Sequence, residues 1–337
     1  HSHAGPWENN ETVENVRNGL ADACLKRGYM SMERELRTAG KFGRILTLQD
    51  DIDDAVMAHL IEALNQESAH EYDRATKEYE HALQACPPAT GTNVRYITGI
   101  RQALADRYSE SNRTEDAIAQ YRKAIEESPA LRGPGHPSTD ILRKRLAALL
   151  IAQDEHAEAI QLLNEAYSNL CNTFGKADDL TLSTLMQLCD AQVLIGEHDK
   201  AIILYKEVLE TQPPIRMSDT LKGLLQRCLA EAYASAGQHD TAVKLLDSML
   251  DELHQQHTTE KTKSNDGDFY IHDLCSIQYQ LASILYESET VDELLRATEI
   301  LEGMISNCEI TYGAQHPKTM DAHFLLSQVN ARISNLR

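Results

Sequence analysis

The sequence predicts an all-α fold, built as one array of paired helices. Two observations predict it. A short motif recurs along the chain at an almost constant interval, and the 337 residues include only 9 prolines and 16 glycines, which favours helix over turn-rich β structure. Apolar residues make up 42% and charged residues 25% of the chain, an ordinary composition for a folded protein with a sizeable core.

The recurring motif is an alanine followed, four residues later, by tyrosine or leucine and, after three more, by another small or apolar residue. Its clearest copies begin at Ala75, Ala117, Ala159, Ala201 and Ala242. Successive copies are 42 residues apart as far as Ala201, and the last step is 41 residues. Chance does not produce such spacing, so each copy marks one structural repeat.

Each repeat is interpreted as two helices that cross closely. Around Ala117 the motif is preceded by Leu104-Ala105-x-x-Tyr108 and followed by Pro129. Small residues permit the close crossing, aromatic rings fill the wedge between the helices, and proline ends the second helix. This order of residues resembles the tetratricopeptide repeat.

The ends of the array are less regular. A degenerate first repeat runs from Leu20 to Glu33, and the last repeat has its alanine at Ala297. The interval before Ala297 is longer because of a polar linker, residues 257–273, which we expect to be a loop. Residues 319–334 form a capping helix. We therefore expect a single solenoid of about seven repeats over residues 14–334, after a cloning remnant and flexible N-terminus at 1–13.

The connections between repeats carry a second signature. Residues 312–319 read YGAQHPKT, residues 133–139 read GPGHPST, and residues 174–181 read FGKADDLT. These segments resemble the YGxxHPxT linker of kinesin-light-chain-type tetratricopeptide repeats. The resemblance implies a right-handed superhelical solenoid whose concave groove binds peptides, as in cargo adaptors. Similar arrays form the C-terminal sensors of NB-ARC/STAND signalling ATPases, although this sequence contains no P-loop.

The resemblance also implies which residues line the groove, because the first helix of each pair faces inward with its fifth and ninth positions. The predicted ligand-binding residues are Asn18, Asp22, Gln102, Asp106, Lys144, Met186, Asp190, Arg227, Glu231 and Tyr279. The acidic members favour an extended ligand that carries Lys or Arg, with Asn18 and Gln102 reading its backbone amides. The alternative is that these carboxylates only solvate an open surface.

Charge and cysteine content limit the partners and the compartment. The net charge of −20 repels nucleic acid and anionic membranes. Seven scattered cysteines indicate a reducing compartment, and no apolar run is long enough to be a membrane span or the core of a signal peptide. We expect a cytoplasmic protein with a protein or peptide partner and without a cofactor, while its oligomeric state stays open.

Motifs for catalysis are absent from the sequence. It has no G-x-S-x-G, G-x-G-x-x-G or HExxH segment. His156, His198 and His239 recur at one repeat position, but neighbouring repeats are about 8–10 Å apart, too far to share an ion. His254 and His257 lack a third ligand at fixed spacing. The sequence predicts a non-catalytic scaffold; an enzyme or small-molecule receptor with an internal pocket, or a purely oligomerising array, are the alternatives.

Overall fold

The computed structural model describes residues 53–88, 94–128, 136–211, 218–260, 267–288 and 290–336. These ranges contain thirteen α-helices and no β-strand, which confirms the predicted all-helical array. The degenerate first repeat lies outside the described residues, and so do Asn18, Asp22 and segment 1–13. None of the described helices is both long enough and apolar enough to cross a membrane.

The chain divides into two compact units, residues 1–175 and 176–337. The described part of the first unit holds six helices: α1 (Asp54–Ser68), α2 (Tyr72–Ala85), α3 (Val94–Glu110), α4 (Thr114–Glu127), α5 (Pro137–Ala152) and α6 (His156–Phe174). Each helix packs against the next one along the chain, so helices that follow one another are also neighbours in space.

The second unit holds seven helices: α7 (Asp179–Leu194), α8 (His198–Leu209), α9 (Asp219–Ser235), α10 (His239–Glu260), α11 (Gly267–Tyr286), α12 (Val291–Tyr312) and α13 (Pro317–Leu336). Here too each helix packs against its successor. In addition, the odd-numbered helices contact each other directly, α7 with α9, α9 with α11 and α11 with α13. Both sets of contacts are those expected of stacked helix pairs.

The motif alanines lie where the helices touch. The even-numbered helices each contribute one, and all are fully buried: Ala75, Ala117, Ala159, Ala201, Ala242 and Ala297. The residue four positions later is also in the core, at most 5% exposed, whether it is Tyr79 or Leu163. The side chain at the alanine position must be small because the partner helix passes directly over it.

The turn between the two helices of a pair requires a left-handed backbone conformation. Residues with positive φ recur at the repeat interval: His70, Asn112, Asp154, Gly196 and Gly237, with φ between 59° and 79°. Glycine has no Cβ, so Gly196 and Gly237 adopt this conformation without strain. Asparagine, aspartate and histidine tolerate positive φ better than most residues, which explains why they replace glycine in the other turns.

The linker signature starts the first helix of a pair. The His136 Nδ1 accepts a hydrogen bond from the Ser138 amide at 3.2 Å, and His316 Nδ1 accepts from the Lys318 amide at 3.3 Å. In the third linker Asp178 has the same role, since its carboxylate accepts from the Leu180 amide at 3.0 Å. The histidine is therefore an N-cap, and proline follows it because its fixed φ suits the first helical turn.

One expectation about an individual segment was wrong. Residues 257–273 are not one long loop, because α10 continues to Glu260 and α11 begins at Gly267. The ring of His257 stacks on Tyr270 with centroids 3.8 Å apart, a contact between α10 and α11.

Replacing Ala159 with leucine tests the close crossing. Extra methyl groups at this fully buried position should lower the free energy of unfolding by about 1–3 kcal/mol, because the neighbouring helix has no room to move. The change is measured as a lower urea midpoint. The matched control is Ala157→Leu, on the same helix but exposed, which should leave the midpoint nearly unchanged. Equal effects of the two changes would contradict the packing role of the motif alanine.

Candidate functional site

The candidate site in the second unit is the odd-helix face, the surface formed by α7, α9, α11 and α13. These helices lie side by side, while α8, α10 and α12 pack behind them. Five of the predicted ligand-binding residues belong to this face: Met186 and Asp190 on α7, Arg227 and Glu231 on α9, and Tyr279 on α11. All five are exposed or half-buried, so the fold leaves each of them at least partly open to solvent.

Asp190 and Glu231 form an acidic pair on this face. Both side chains are exposed, yet protein atoms around Asp190 remove part of its hydration. The pKa of Asp190 is raised first by this desolvation and second by the negative charge of Glu231. Within the described part of the chain, neither carboxylate has an ion-pair partner. A cation placed between the two would relieve their repulsion.

Arg227 and Tyr279 stand at equivalent positions of neighbouring helices. The main-chain carbonyl of Arg227 accepts a hydrogen bond from Gln280 Nε2 at 2.8 Å, which ties α9 to α11. The Arg227 side chain is half-buried, and its Nε is buried without a hydrogen bond. The Tyr279 ring is 37% exposed. The odd-helix face thus carries an exposed aromatic side chain in addition to the acidic pair.

Sequence reasoning missed a second aromatic residue on this face. Thr181 and Thr319 are both fully buried at the end of a linker, so α7 and α13 have the same register. Met186 and Phe324 each come five residues after these threonines, so they occupy equivalent positions of α7 and α13. The Phe324 side chain is 65% exposed. Met320, one turn earlier, is 54% exposed. The YGAQHPKT linker could have revealed Phe324. In this repeat such a linker precedes the first helix of a pair, so the helix that follows it should contribute to the face and not only cap the array.

In the first unit the predicted residues have a different environment. Asp106 is only 11% exposed; its carboxylate accepts a hydrogen bond from Arg145 Nη1 at 2.8 Å and another from the Tyr121 hydroxyl. It therefore links α3, α4 and α5. Lys144 is half-buried, and desolvation followed by the nearby Arg145 charge lowers its pKa. Gln102 is also half-buried.

A thiol cluster lies beneath the acidic pair. Cys189 and Cys228 flank the buried hydroxyl of Tyr205. Burial, together with the charge of Asp190, raises the pKa of the Cys228 thiol to about 11, and burial also raises that of Cys189. Both thiols stay protonated at neutral pH, a state that suits packing and not nucleophilic attack.

One group of side chains in the first unit has the composition of a metal site. His59, Glu78 and His81 bring their ligand atoms within 4.8 Å of one another. Sequence reasoning missed this group, because His59 is far along the chain from the other two. The spacing Glu78-x-x-His81 was the only local signal, since residues three apart share a helix face.

The raised pKa of Asp190 predicts a pH-dependent effect of Asp190→Asn. A folded-state pKa above the unfolded value of 3.8 means that stability is highest at low pH and falls as pH rises through the folded pKa. The variant should therefore have a higher urea midpoint than the wild type at pH 7, and the gain should vanish near pH 3. Asp251→Asn, an exposed site on α10, is the control. A gain that persists at low pH would contradict the electrostatic cause.

Comparison with known proteins agrees with this geometry. The pattern of the tetratricopeptide-repeat family matches residues 138–213, and a second form of it matches residues 99–131. No curated protein matches the sequence.

Two solved structures share the fold. A Podosopora anserina protein described as a kinesin light chain with nearly identical TPR-like repeats is 21% identical, with a TM-score of 0.52 over 66% of this chain and 99% of that one. The C-terminal part of a TPR repeat-containing protein from Cytophaga hutchinsonii is 15% identical, with a TM-score of 0.50 over 90% of this chain and 98% of the other. With the stacked helix pairs and the buried alanines, these similarities show that the fold is an all-helical array of tetratricopeptide type, and residues 99–131 and 138–213 carry the sequence pattern of that repeat.

Proposed function

We propose that this protein is a non-catalytic scaffold that binds an extended peptide segment on the odd-helix face of residues 176–336. The observation that carries the proposal is the combination, on one face, of an acidic pair and exposed aromatic side chains. Tetratricopeptide arrays are generally protein-interaction scaffolds. The ligand that fits this face is a segment with a Lys or Arg side chain and an apolar side chain.

The acidic pair supports the basic character of the ligand. Asp190 and Glu231 repel each other, and Asp190 is also partly desolvated. A lysine or arginine between them would form charge-assisted hydrogen bonds and remove that repulsion. Since the whole chain has a net charge of −20, its long-range field also attracts a basic segment.

The aromatic residues support an apolar contact. Tyr279 is 37% exposed and Phe324 is 65% exposed, on helices α11 and α13 that touch each other. Large aromatic side chains supply much of the binding energy at protein interfaces when a partner covers them. No packing role within the array requires Phe324, because α13 contributes other residues to the core, Ala322, Leu325, Val329 and Ile333.

Asp106, Gln102 and Lys144 remain proposed ligand contacts of the first unit, with a restriction on Asp106. Its carboxylate is already bound to Arg145 and Tyr121. A ligand would have to compete with both groups, which makes Asp190 and Glu231 the better sites for a test. Replacing Asp106 with lysine would place two cations together and disturb the packing of α3 on α5.

The cellular role follows from the same surface. We propose that the array is the recognition part of an adaptor or a sensor in the cytoplasm. The seven scattered cysteines support a reducing compartment. Because the acidic face selects by charge, association with its partner should be fast at low salt and slower at high salt.

Binding is tested with a library of fluorescent peptides that carries Lys, Asp or Leu at each position in turn. Peptides with a Lys and a neighbouring Leu should bind best. The double variant Asp190→Asn, Glu231→Gln should weaken their binding about tenfold and reduce its salt dependence, because the paired carboxylates are lost. Phe324→Ala should weaken it about fivefold or more through the lost apolar contact. Fluorescence anisotropy gives the dissociation constants.

The matched control is Glu299→Gln with Glu302→Gln. Both residues are exposed on α12, away from the odd-helix face, and the change in net charge is the same. This variant should bind the peptides almost as the wild type does. A loss equal to that of the Asp190, Glu231 variant would mean that only net charge matters, and preference for the Asp-containing peptides would overturn the proposal.

A further inference from the structure

The geometry points to a zinc site formed by His59, Glu78 and His81, which we propose as a metal clip between α1 and α2. The inference does not depend on peptide binding, because all three residues belong to the first unit. His59 lies on α1, and the other two lie on α2. The two helices are packed side by side, so a shared ion would connect the two members of one repeat.

The glutamate stands between the two imidazoles and directs one oxygen to each. Glu78 Oε2 is 2.8 Å from His59 Nδ1, and Glu78 Oε1 is 3.7 Å from His81 Nδ1. The two rings are tilted by 56°, with their centroids 5.3 Å apart. The rings are therefore not stacked on each other, and nitrogen atoms from both lie near the same carboxylate.

These distances are close to those of a tetrahedral site. Bonds of about 2.0–2.2 Å place neighbouring ligand atoms about 3.4 Å apart. In this protein the three ligand atoms are at most 4.8 Å from each other. The difference is small enough for side-chain rotations to remove, without a change in the backbone of either helix. An ion would replace the His59–Glu78 hydrogen bond with two direct bonds.

The set of ligands selects the metal. Two imidazoles and one carboxylate are a donor set that Zn²⁺ uses with water in its fourth position. Ca²⁺ and Mg²⁺ prefer oxygen ligands only, so they fit this group poorly. His81 is 52% exposed and His59 is 36% exposed, while Glu78 is 24% exposed. An ion can thus enter from solvent, and a fourth position is open to a water molecule.

A simple ion pair between histidine and glutamate is the competing explanation. The structure offers a matched example of such a pair, His323 Nε2 at 3.3 Å from Glu309 Oε1, on α13 and α12. Like the proposed site, it joins two packed helices and is exposed. It has one imidazole only, so it should not hold zinc firmly.

Isothermal titration of the full chain with ZnCl₂, in buffer without chelators, tests the site. The wild type should bind one Zn²⁺ more than each of the variants His59→Ala, Glu78→Gln and His81→Ala. Where a variant still binds this ion, its dissociation constant should be at least about tenfold higher than that of the wild type. His323→Ala should bind as the wild type does. Any binding by His1, His3 or the cysteines is common to all of these proteins and cancels in the comparison.

Two further measurements on the wild type do not depend on the folding of a variant. Co²⁺ in place of Zn²⁺ should give the strong visible absorption of four-coordinate cobalt. Zinc should also protect His59 and His81 from diethylpyrocarbonate, as read by mass spectrometry, and leave His323 reactive. Unchanged titration in all three variants, or equal labelling of these histidines with and without zinc, would overturn the proposal.

Discussion

The burial of one alanine per helix pair against the neighbouring helix is the contact on which the array depends. At Ala117 or Ala159 the exposed fraction is zero, so the crossing distance is set by a methyl group. Because the same contact recurs at a nearly constant interval, the helix pairs within each unit stack on one another with similar geometry. The buried Tyr121 and Leu163 then fill the space between the two helices of a pair.

Capping at the linkers decides where each first helix begins, and hence which residues face outward. His136, Asp178 and His316 all accept a hydrogen bond from an amide in the first turn, although they differ in chemistry. A buried threonine follows each of them and fixes the register. This shared start places Met186 and Phe324 at equivalent positions of α7 and α13, so the odd-helix face extends onto the last helix.

The acidic residues of this protein do not form one uniform surface. Asp106 is enclosed by Arg145 and Tyr121, and it stabilises the packing of three helices. Asp190 has the negative charge of Glu231 nearby instead, and this repulsion adds to the desolvation that raises its pKa. Residues at the same repeat position thus differ in their electrostatic environment, because the repeat that follows supplies a cation in one case and an anion in the other.

The sequence by itself determined the helical array, its repeat interval and the buried alanines, because these depend on local periodicity. Only the tertiary structure decided which carboxylates are neutralised, since Arg145 is 39 residues from Asp106. It also brought His59 to within hydrogen-bonding distance of Glu78. Such contacts join separate helices, and no local pattern of residues encodes them.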